Sequence, residues 1–314
     1  MKKINVVGIV GPTASGKTEL SVRLAKYFDS EIVSADSMQI YKGMNIATAK
    51  PTPLEQQGIK HHLIDFVDTQ KSFSVAQYCS LAHEVIKDIA FRNKLPIVVG
   101  GTGLYVDSLL NNITFTDIEA DEKLRADLYK LYEDKGMDYL LDKIKEFDPA
   151  SYLRLSEQKN IKRIIRCIEV YKTTGKTQTQ LNEESHKFES PYNTVKIGLK
   201  AKDREFLYNK INRRVDMMLD MGLLDEARKF LSAKTSSTAV QAIGYKELAL
   251  YFDGVMPLEE CIGKIKMNTR RYAKRQMTWF MRDESVIWMN IDEISKDEIY
   301  NQCVALIKRN FYNG

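Results

Sequence analysis

The apolar residues of the first hundred positions fall in short runs that are separated by stretches of helical spacing. Residues 4–10 form a β-branched apolar run bounded by glycine, which predicts a buried strand, and residues 19–28 predict the helix after it. Similar runs predict strands in SEIVSADS, which ends at Asp36, in KHHLIDFVD and in KLPIVVGG. Helical spacing predicts another helix over 74–92. Strands that alternate with helices favour an α/β fold with a parallel sheet covered on both faces.

The strand pattern fades after about residue 112. Residues 121–172 are charged and have helical spacing, whereas a Thr-, Ser- and Glu-rich stretch over 173–190 predicts a loop. A strand is predicted again over 194–201, and the rest of the chain is predicted to be mostly helical. We therefore predict an α/β core with C-terminal helices that is interrupted by a helical insertion. The core comprises residues 1–112 and 192–314, and the insertion comprises residues 113–191.

Composition narrows the class of protein. The 314 residues are 44% hydrophobic and 28% charged, which is ordinary for a globular protein. Four cysteines lie far apart without a C-x-x-C pair, so a reducing compartment is expected. No apolar run approaches the ~18 residues of a membrane span. The short apolar run after Lys2 and Lys3 leads into a glycine-rich loop and lacks the cleavage site of a signal peptide, so we expect a cytoplasmic protein.

The segment between the first strand and the first helix reads GPTASGKT and fits the pattern G-x-x-x-x-G-K-[ST]. Backbone N–H groups of such a loop converge on phosphate oxygens, and the following helix adds the positive end of its dipole. Lys17 adds a full charge, and the Thr18 hydroxyl can ligate Mg²⁺. The flanking strand and helix are the context that the motif requires. The predicted polyphosphate-binding loop comprises Gly11, Pro12, Thr13, Ala14, Ser15, Gly16, Lys17 and Thr18.

A P-loop enzyme that hydrolyses a nucleotide or transfers phosphoryl groups also needs a metal-holding acid at the end of another strand. The KLPIVVGG strand ends in glycines followed by Thr102, with no acid. Asp36 could hold a metal, act as a base or cap the next helix, and the pattern leaves these three roles open. Ser37 and Gln39 beside it can hydrogen-bond a planar amide or a base edge. Because ligands of parallel sheets bind beyond the carboxyl ends of the strands, Asp36, Thr102 and the loop are expected near one crevice.

Positive charge is concentrated in two stretches, although the net charge is only +5. Residues 261–282 contain seven Lys or Arg, no acid and several aromatic residues. A solvated helix face normally mixes both signs, whereas a single-sign run with aromatics suits a phosphate backbone and base stacking. The two patches together predict an RNA or DNA partner. In the insertion, a spacing of i, i+3, i+4 and i+7 predicts one helix face with four cations, Lys159, Lys162, Arg163 and Arg166.

Seven segments occur in a fixed order between residues 11 and 281: GPTASGKT, SADSMQIYKGMNIATAKP, HHLID, VVGGTGLY, IIRCIEVY, QAIGYKE and RRYAKRQMTWF. Together they closely resemble the bacterial tRNA dimethylallyltransferases. The resemblance implies a P-loop kinase-like core with a helical insertion that grips the anticodon stem-loop of tRNA. It also implies that the loop holds dimethylallyl diphosphate with Mg²⁺. The prenyl group would move to N6 of the adenosine 3′ of the anticodon, and diphosphate would be released.

The same resemblance implies a role for individual residues. Asp36 matches the family's aspartate and would accept the amine proton, and Thr102 would help to position the reacting groups. Arg214, which matches the family's arginine better than Arg213 does, would contact the diphosphate. Ile243 and Trp279 match segments that contact RNA but could equally be core residues, and Thr102 could cap a helix. The residues implied to bind tRNA are Asp36, Ser37, Met38, Gln39, Asn160, Lys162, Arg163, Arg166, Gln241, Gly244, Lys246, Lys274, Arg275, Gln276 and Trp279.

Three other activities share some of these features. The glycine-ended strand and the acid-free basic stretch argue against a small-molecule P-loop kinase. An adenylate prenyltransferase acting on a free nucleotide would not need two RNA-sized basic surfaces. A non-catalytic RNA-binding protein would have no reason to keep an intact Lys-Thr loop beside an acid. His61 and His62 look like a metal pair, but their HHLID segment favours a structural role, and a monomer is expected because no obvious exposed apolar face remains.

Overall fold

The computed structural model describes residues 3–113, 121–185, 189–233 and 239–312. The chain divides into two compact units: residues 1–110 with 190–314 form unit 1, and residues 111–189 form unit 2. The predicted insertion, 113–191, contains residues 114–120 and 186–188, which lie outside the described residues. Within the part of the chain that is described, no helix is both long enough and apolar enough to cross a membrane.

Unit 1 is built on a six-stranded sheet in the order β3-β2-β4-β1-β5-β6. All neighbouring strands pair in parallel, which confirms the predicted parallel sheet. In the central strand Val7 pairs with Ile97 on one side and Val195 on the other, and residues 6–10 are buried, as expected of a strand covered on both faces. The strands are β1 Ile4–Val10, β2 Glu31–Ser34, β3 His61–His62, β4 Pro96–Gly100, β5 Tyr192–Lys200 and β6 Val286–Asn290.

Helices α1 (Lys17–Tyr27) and α13 (Lys296–Phe311) cover one face of this sheet, where Leu24 and Ile307 share a fully buried cluster with Ile9. The next helices along the chain after α1 are α2 Pro53–Gln56, α3 Val75–Phe91 and α4 Gly103–Leu110. After β5 come α9 Arg204–Asp220, α10 Leu223–Ser232, a 3₁₀ turn at Ala239–Gln241, α11 Tyr245–Phe252, α12 Leu258–Phe280 and, after β6, α13 Lys296–Phe311. A second apolar cluster joins α10, α11 and α12 to the segment after β2.

One predicted strand is shorter than expected, and one strand was not predicted. The predicted KHHLIDFVD strand shrinks to His61–His62, because Leu63 and Asp65 adopt left-handed φ angles of 57° and 58° that end an extended strand. The chain after residue 201 is mostly helical, as predicted, but Val286–Asn290 adds an unpredicted strand, β6, at the sheet edge beside β5.

Unit 2 is helical, as predicted. Its helices are α5 Glu122–Phe147, which is interrupted at Gly136, α6 Pro149–Gln158, α7 Ile161–Thr174 and α8 Gln178–Ser185. The core of unit 2 is apolar and includes Leu140 and Ile164, both fully buried.

Helix α8 corrects the loop predicted over 173–190. Thr177 and Gln180 bond reciprocally: the Thr177 N–H donates to Gln180 Oε1 at 2.9 Å, and the Gln180 N–H donates to Thr177 Oγ1 at 3.1 Å. This capping pattern stabilises a helix start despite a polar composition that reads as a loop.

Candidate active site

The glycine-rich loop joins the end of β1 to the start of α1. Gly11 has φ +139°, and a Cβ there would lie 2.4 Å from the Leu199 carbonyl oxygen, so only glycine fits. Gly16 caps α1 with φ 95°, which leaves the first N–H groups of the helix directed at the loop. The Lys17 ammonium group donates to the carbonyl oxygens of Gly11 at 3.0 Å and Pro12 at 2.7 Å.

Burial lowers the pKa of Lys17 from its ordinary 10.5 to about 7. The positive charge of Arg214 lowers it further, whereas the negative charge of Asp36 acts in the opposite direction. Among the described residues Lys17 makes no ion pair, and an anion in the loop would favour its protonated form. In addition, the Ser15 hydroxyl is buried and has no hydrogen-bond partner among the described residues.

A cavity of about 860 Å³ opens beside the loop, and all of its lining belongs to unit 1. Several predicted site residues of unit 1 meet there, whereas Gly11, Pro12, Thr102, Lys274 and Trp279 do not line it. The ones that do are Thr13, Ala14, Ser15, Gly16, Lys17, Thr18, Asp36, Ser37, Met38, Gln39, Arg214, Gln241, Gly244, Lys246, Arg275 and Gln276. The expectation of a single crevice beyond the strand ends therefore holds for Asp36 and the loop.

Asp36 lies two residues beyond β2 and is half-buried at the cavity. Its Oδ1 atom accepts hydrogen bonds from the N–H groups of Met38 at 2.9 Å and Gln39 at 3.3 Å. Its Oδ2 atom accepts none from the residues that the structure describes. Oδ1 thus holds the turn over residues 37–40 and caps no helix, since the next helix, α2, is capped by Thr52, and Oδ2 is available to a ligand.

Thr102 joins two segments of the site although it does not line the cavity. Its hydroxyl accepts from the Ser37 N–H at 3.0 Å and lies 3.3 Å from the Ser37 hydroxyl. The Tyr272 side chain of α12 lies near Thr102, and burial raises the pKa of that tyrosine well above its ordinary range. Thr102 therefore fixes the segment that carries Asp36, which is a positioning role.

Arg214 of α9 lies over the loop side of the cavity, whereas Arg213 is the more exposed of the pair. Burial lowers the pKa of Arg214, and the charges of Glu55 and Asp36 partly oppose that effect. Its Nη2 atom lies 3.5 Å from the Ala49 carbonyl oxygen, a long contact. Arg214 and Lys17 both line the cavity, and the charge of Arg214 lowers the pKa of Lys17.

Gln276, a predicted RNA contact, lines the cavity and is bonded within the protein through its side-chain amide. Its side chain is 5% exposed, its Oε1 atom accepts from the Thr13 N–H at 2.9 Å, and its Nε2 atom donates to the Gly101 carbonyl at 2.9 Å. The amide therefore ties the glycine-rich loop to the end of β4, and we assign it a positioning role in the loop.

The other predicted residues of the C-terminal helices differ in exposure. Lys246, Lys274 and Arg275 are exposed, and Gly244 is buried with φ +112°. Trp279 packs against Gly103, where an added Cβ would lie 2.3 Å from the indole, and its Nε1–H donates to Asp107 at 2.5 Å. Two further cations of α12 are engaged within the protein, since Lys266 pairs with Asp216 and Arg270 bonds Asn212.

The predicted face of four cations in unit 2 was wrong in part. Lys159 precedes α7 and adopts a left-handed φ of 47°, so it lies outside the helix. Arg166 pairs at 2.7 Å with Glu169, which is fully buried. Lys162 and Arg163 are exposed, and the Asn160 side chain caps α7 by accepting from the Arg163 N–H at 3.3 Å.

His61 and His62 both have bonds within the protein. His61 Nδ1 lies 2.8 Å from the Ile59 carbonyl oxygen, and His62 Nε2 lies 2.7 Å from the Glu31 carboxylate. Across residues 3–113, 121–185, 189–233 and 239–312, no group of three or more His, Cys, Asp or Glu side chains could hold a metal ion. All four cysteines are buried and free.

The sequence analysis missed two contributors to the site. Tyr272 was counted only among the aromatic residues of a basic stretch, yet it lines the cavity and lies near Thr102. Glu226 was not singled out, although its carboxylate accepts four N–H···O contacts from one turn of the cavity wall. Tyr272 lies within the segment RRYAKRQMTWF, which could have marked it, whereas Glu226 lies in none of the seven segments.

The parallel sheet, the glycine-rich loop at the end of β1 and the cationic cavity beside it define a P-loop protein. A family model described as IPP transferase matches residues 39–283. The chain is 48% identical over 296 residues to the tRNA dimethylallyltransferase of Acetivibrio thermocellus, and the match covers 94% of each chain. This chain belongs to the IPP transferase family.

Solved structures agree with this assignment. The crystal structure of the full-length tRNA isopentenylpyrophosphate transferase from Bacillus halodurans is 43% identical, covers 98% of each chain and superposes with a TM-score of 0.72. A eukaryotic dimethylallyltransferase acting on tRNA is 28% identical, with a TM-score of 0.82 over 99% of this chain and 80% of that one. The predicted family and P-loop core fold are thereby confirmed.

Proposed function

We propose that this chain transfers the dimethylallyl group of dimethylallyl diphosphate to N6 of the adenosine 3′ of the anticodon in tRNA. Diphosphate is the second product. The observation that carries the proposal is that Asp36, with one carboxylate oxygen available, faces the same cavity as a glycine-rich loop whose Lys17 makes no ion pair with the described residues. The names of the relatives support the tRNA acceptor.

Prenyl transfer requires both Asp36 and the glycine-rich loop, which line the same cavity. The exocyclic amine of adenine is a poor nucleophile because its lone pair is delocalised into the ring, so it needs a base and a good leaving group. N6 forms a bond to C1 of the prenyl group as the bond from C1 to the diphosphate oxygen breaks. The N6 proton passes to Asp36, and the charge on the departing diphosphate is stabilised by the loop N–H groups, Lys17 and Arg214.

Mg²⁺ fits this arrangement as a companion of the diphosphate. It prefers a few protein oxygens together with phosphates and waters, and the Thr18 hydroxyl lines the cavity beside Lys17. When bound, the ion would neutralise charge on the leaving group. Thr18 would be its ligand from the chain.

The target base cannot react while it is stacked in its loop, so it must be turned outward into the cavity. We assign Ser37, Met38 and Gln39 to contacts with that base. The exposed cations assigned to the tRNA backbone are Lys162, Arg163, Lys246, Lys274 and Arg275. A cytoplasmic location and a monomeric state remain predictions from the sequence.

A single assay tests the proposed function. The protein is mixed with Mg²⁺, dimethylallyl diphosphate labelled in the prenyl group, and either tRNA or AMP. We expect label in tRNA alone. Label in AMP would indicate an adenylate prenyltransferase, and phosphoryl transfer from ATP to a metabolite without prenyl transfer would indicate a kinase. The absence of label from both acceptors would contradict the proposal.

The lowered pKa of Lys17 predicts a pH dependence of diphosphate binding. Above pH 7 the Lys17 amine of the unliganded protein is mostly neutral. Bound diphosphate favours its ammonium form, so diphosphate binding takes up a proton. Between about pH 7.5 and 9, affinity should fall up to about tenfold per pH unit. Calorimetry in buffers of different ionisation enthalpy measures the uptake. A Lys17→Arg variant, which stays protonated, should lose this dependence; an equal slope in both proteins would contradict the assignment.

The exposed cations of α7 predict a salt-dependent contact with tRNA. Replacing Lys162 and Arg163 by glutamine should weaken tRNA binding and reduce the slope of log K against log salt by about 1.5. A filter-binding titration at several salt concentrations measures the slope. The charge-matched control is Lys172→Gln with Lys176→Gln, near the other end of the helix, and it should change the slope less. An unchanged slope in the first variant would exclude this face from the phosphate contact.

A further inference from the structure

One carboxylate holds a backbone turn of the cavity wall. Glu226 lies in the first turn of α10, and its Oε2 atom accepts from the N–H groups of Asn45 at 2.9 Å and Ile46 at 2.8 Å. Its Oε1 atom accepts from the Ala47 N–H at 2.9 Å and from the Tyr245 hydroxyl at 2.7 Å. Three consecutive N–H groups therefore converge on one side chain.

The turn cannot satisfy these donors itself. Its own hydrogen bonds run from the Ala49 N–H to the Ile46 carbonyl and from the Lys50 N–H to the Asn45 carbonyl, both at 2.9 Å. They use carbonyl groups of the turn and leave the N–H groups of residues 45–47 to an outside acceptor. A carboxylate suits them because its two oxygens offer about four acceptor sites, and its charge is favoured at the start of a helix.

The far end of the same turn holds two residues of the proposed site. The carbonyl oxygens of Thr48 and Ala49 each accept from Gln39 Nε2 at 3.1 Å, and the Ala49 carbonyl lies 3.5 Å from Arg214 Nη2. Ala47, Thr48 and Ala49 also line the cavity. Ala49 has a left-handed φ of 51°, which a non-glycine residue keeps only when its surroundings hold it.

We infer that Glu226 is a positioning residue for prenyl transfer. By fixing residues 45–47 it sets the carbonyl groups of Thr48 and Ala49, and these orient the Gln39 amide and the Arg214 guanidinium. The inference rests on the proposed function, since Gln39 is assigned to the acceptor base and Arg214 to the diphosphate. Glu226 itself does not line the cavity, so its effect passes through the turn.

The test is Glu226→Gln, which keeps the size of the side chain but offers one acceptor oxygen and adds an N–H₂ group against the backbone donors. We expect kcat/KM for dimethylallyl diphosphate to fall about tenfold or more, while tRNA affinity changes less than about twofold. Asp225→Asn is the matched control. It removes the same charge from the same helix turn, and the Asp225 side chain is exposed and makes no hydrogen bond or ion pair with described residues. Equal activity of the two variants would overturn the inference.

A double-mutant cycle separates positioning from general stability. If Glu226 acts through Gln39, then Glu226→Gln should cost clearly less in a Gln39→Leu background than in the wild type. Fully additive losses would overturn the inference. Tyr245→Phe removes one hydrogen bond to Glu226 and should give a smaller fall in kcat/KM with the same non-additivity. This variant replaces Glu226→Gln in the test if Glu226→Gln unfolds. A wild-type protein that transfers no label contradicts the proposed function, whereas an active wild type with unaffected Glu226→Gln contradicts only this inference.

Discussion

Replacing Asp36 by asparagine should reduce prenyl transfer by about 10²- to 10⁴-fold, because an amide cannot accept the amine proton. The asparagine oxygen can still accept from the Met38 and Gln39 N–H groups, so the local turn should persist. Binding of tRNA should stay within about threefold, because most of its affinity comes from phosphate contacts elsewhere. Single-turnover transfer of labelled prenyl groups measures the first effect, and filter binding measures the second.

Asp68→Asn is the matched control for this substitution. Asp68 makes the same kind of local contact, since its Oδ1 atom accepts from the Gln70 N–H at 2.9 Å, but it lies outside the cavity lining. Its variant should transfer at the wild-type rate. If Asp36→Asn also transfers near that rate, Asp36 is not the base, and the proton must leave by another route.

Replacing Lys17 by methionine should lower kcat/KM for dimethylallyl diphosphate by about 10²- to 10³-fold. Methionine keeps much of the length of the side chain but removes the charge for the diphosphate and the donor to the Gly11 and Pro12 carbonyls. Both the ground state and the departing diphosphate lose a partner, so KM should rise and kcat should fall. Steady-state kinetics at saturating tRNA separates the two constants.

Lys26→Met, on the last turn of the same helix, provides the comparison for Lys17. Lys26 is exposed, its ammonium group donates to the Gln57 side chain and to no other described residue, and it does not line the cavity. Its removal should leave both kinetic constants unchanged. Thermal melting of both variants checks that the fold is intact. A Lys17→Met enzyme with normal kinetics would mean that the glycine-rich loop does not hold the prenyl diphosphate.

The sequence predicts the parts of the fold whose signals are local. The buried run of β1, the glycine loop and the start of α1 carry their own periodicity and backbone chemistry, so their placement was predictable. The strand β6 was missed because a five-residue run at a sheet edge has no periodic signal that distinguishes it from a helix segment. Helix α8 was missed because its polar composition hides a capping pair.

The residues of the candidate site also differ in whether a local sequence pattern predicts them. Asp36 and Lys17 stand in recognisable segments, and the structure brings both to one cavity. The charge pattern of α7 counted Lys159 and Arg166 as available, but a helix boundary and a buried Glu169 change their surroundings. Gln276 and Glu226 act across 263 and 180 residues of sequence, and no local pattern can report such contacts. The roles of Asp36, Thr102 and Arg214 in the reaction stay predictions.

The bond between Gln276 and Thr13 has a consequence for protein engineering. All eight letters of the phosphate motif lie before residue 19, but one donor of that loop is anchored by a helix encoded near the other end of the chain. A fragment that contains only the N-terminal residues would carry the complete motif, but its loop would lack the hydrogen bond from Thr13 to Gln276. Supplying residues 258–280 as a separate peptide is therefore the natural way to attempt restoring anion affinity to such a fragment.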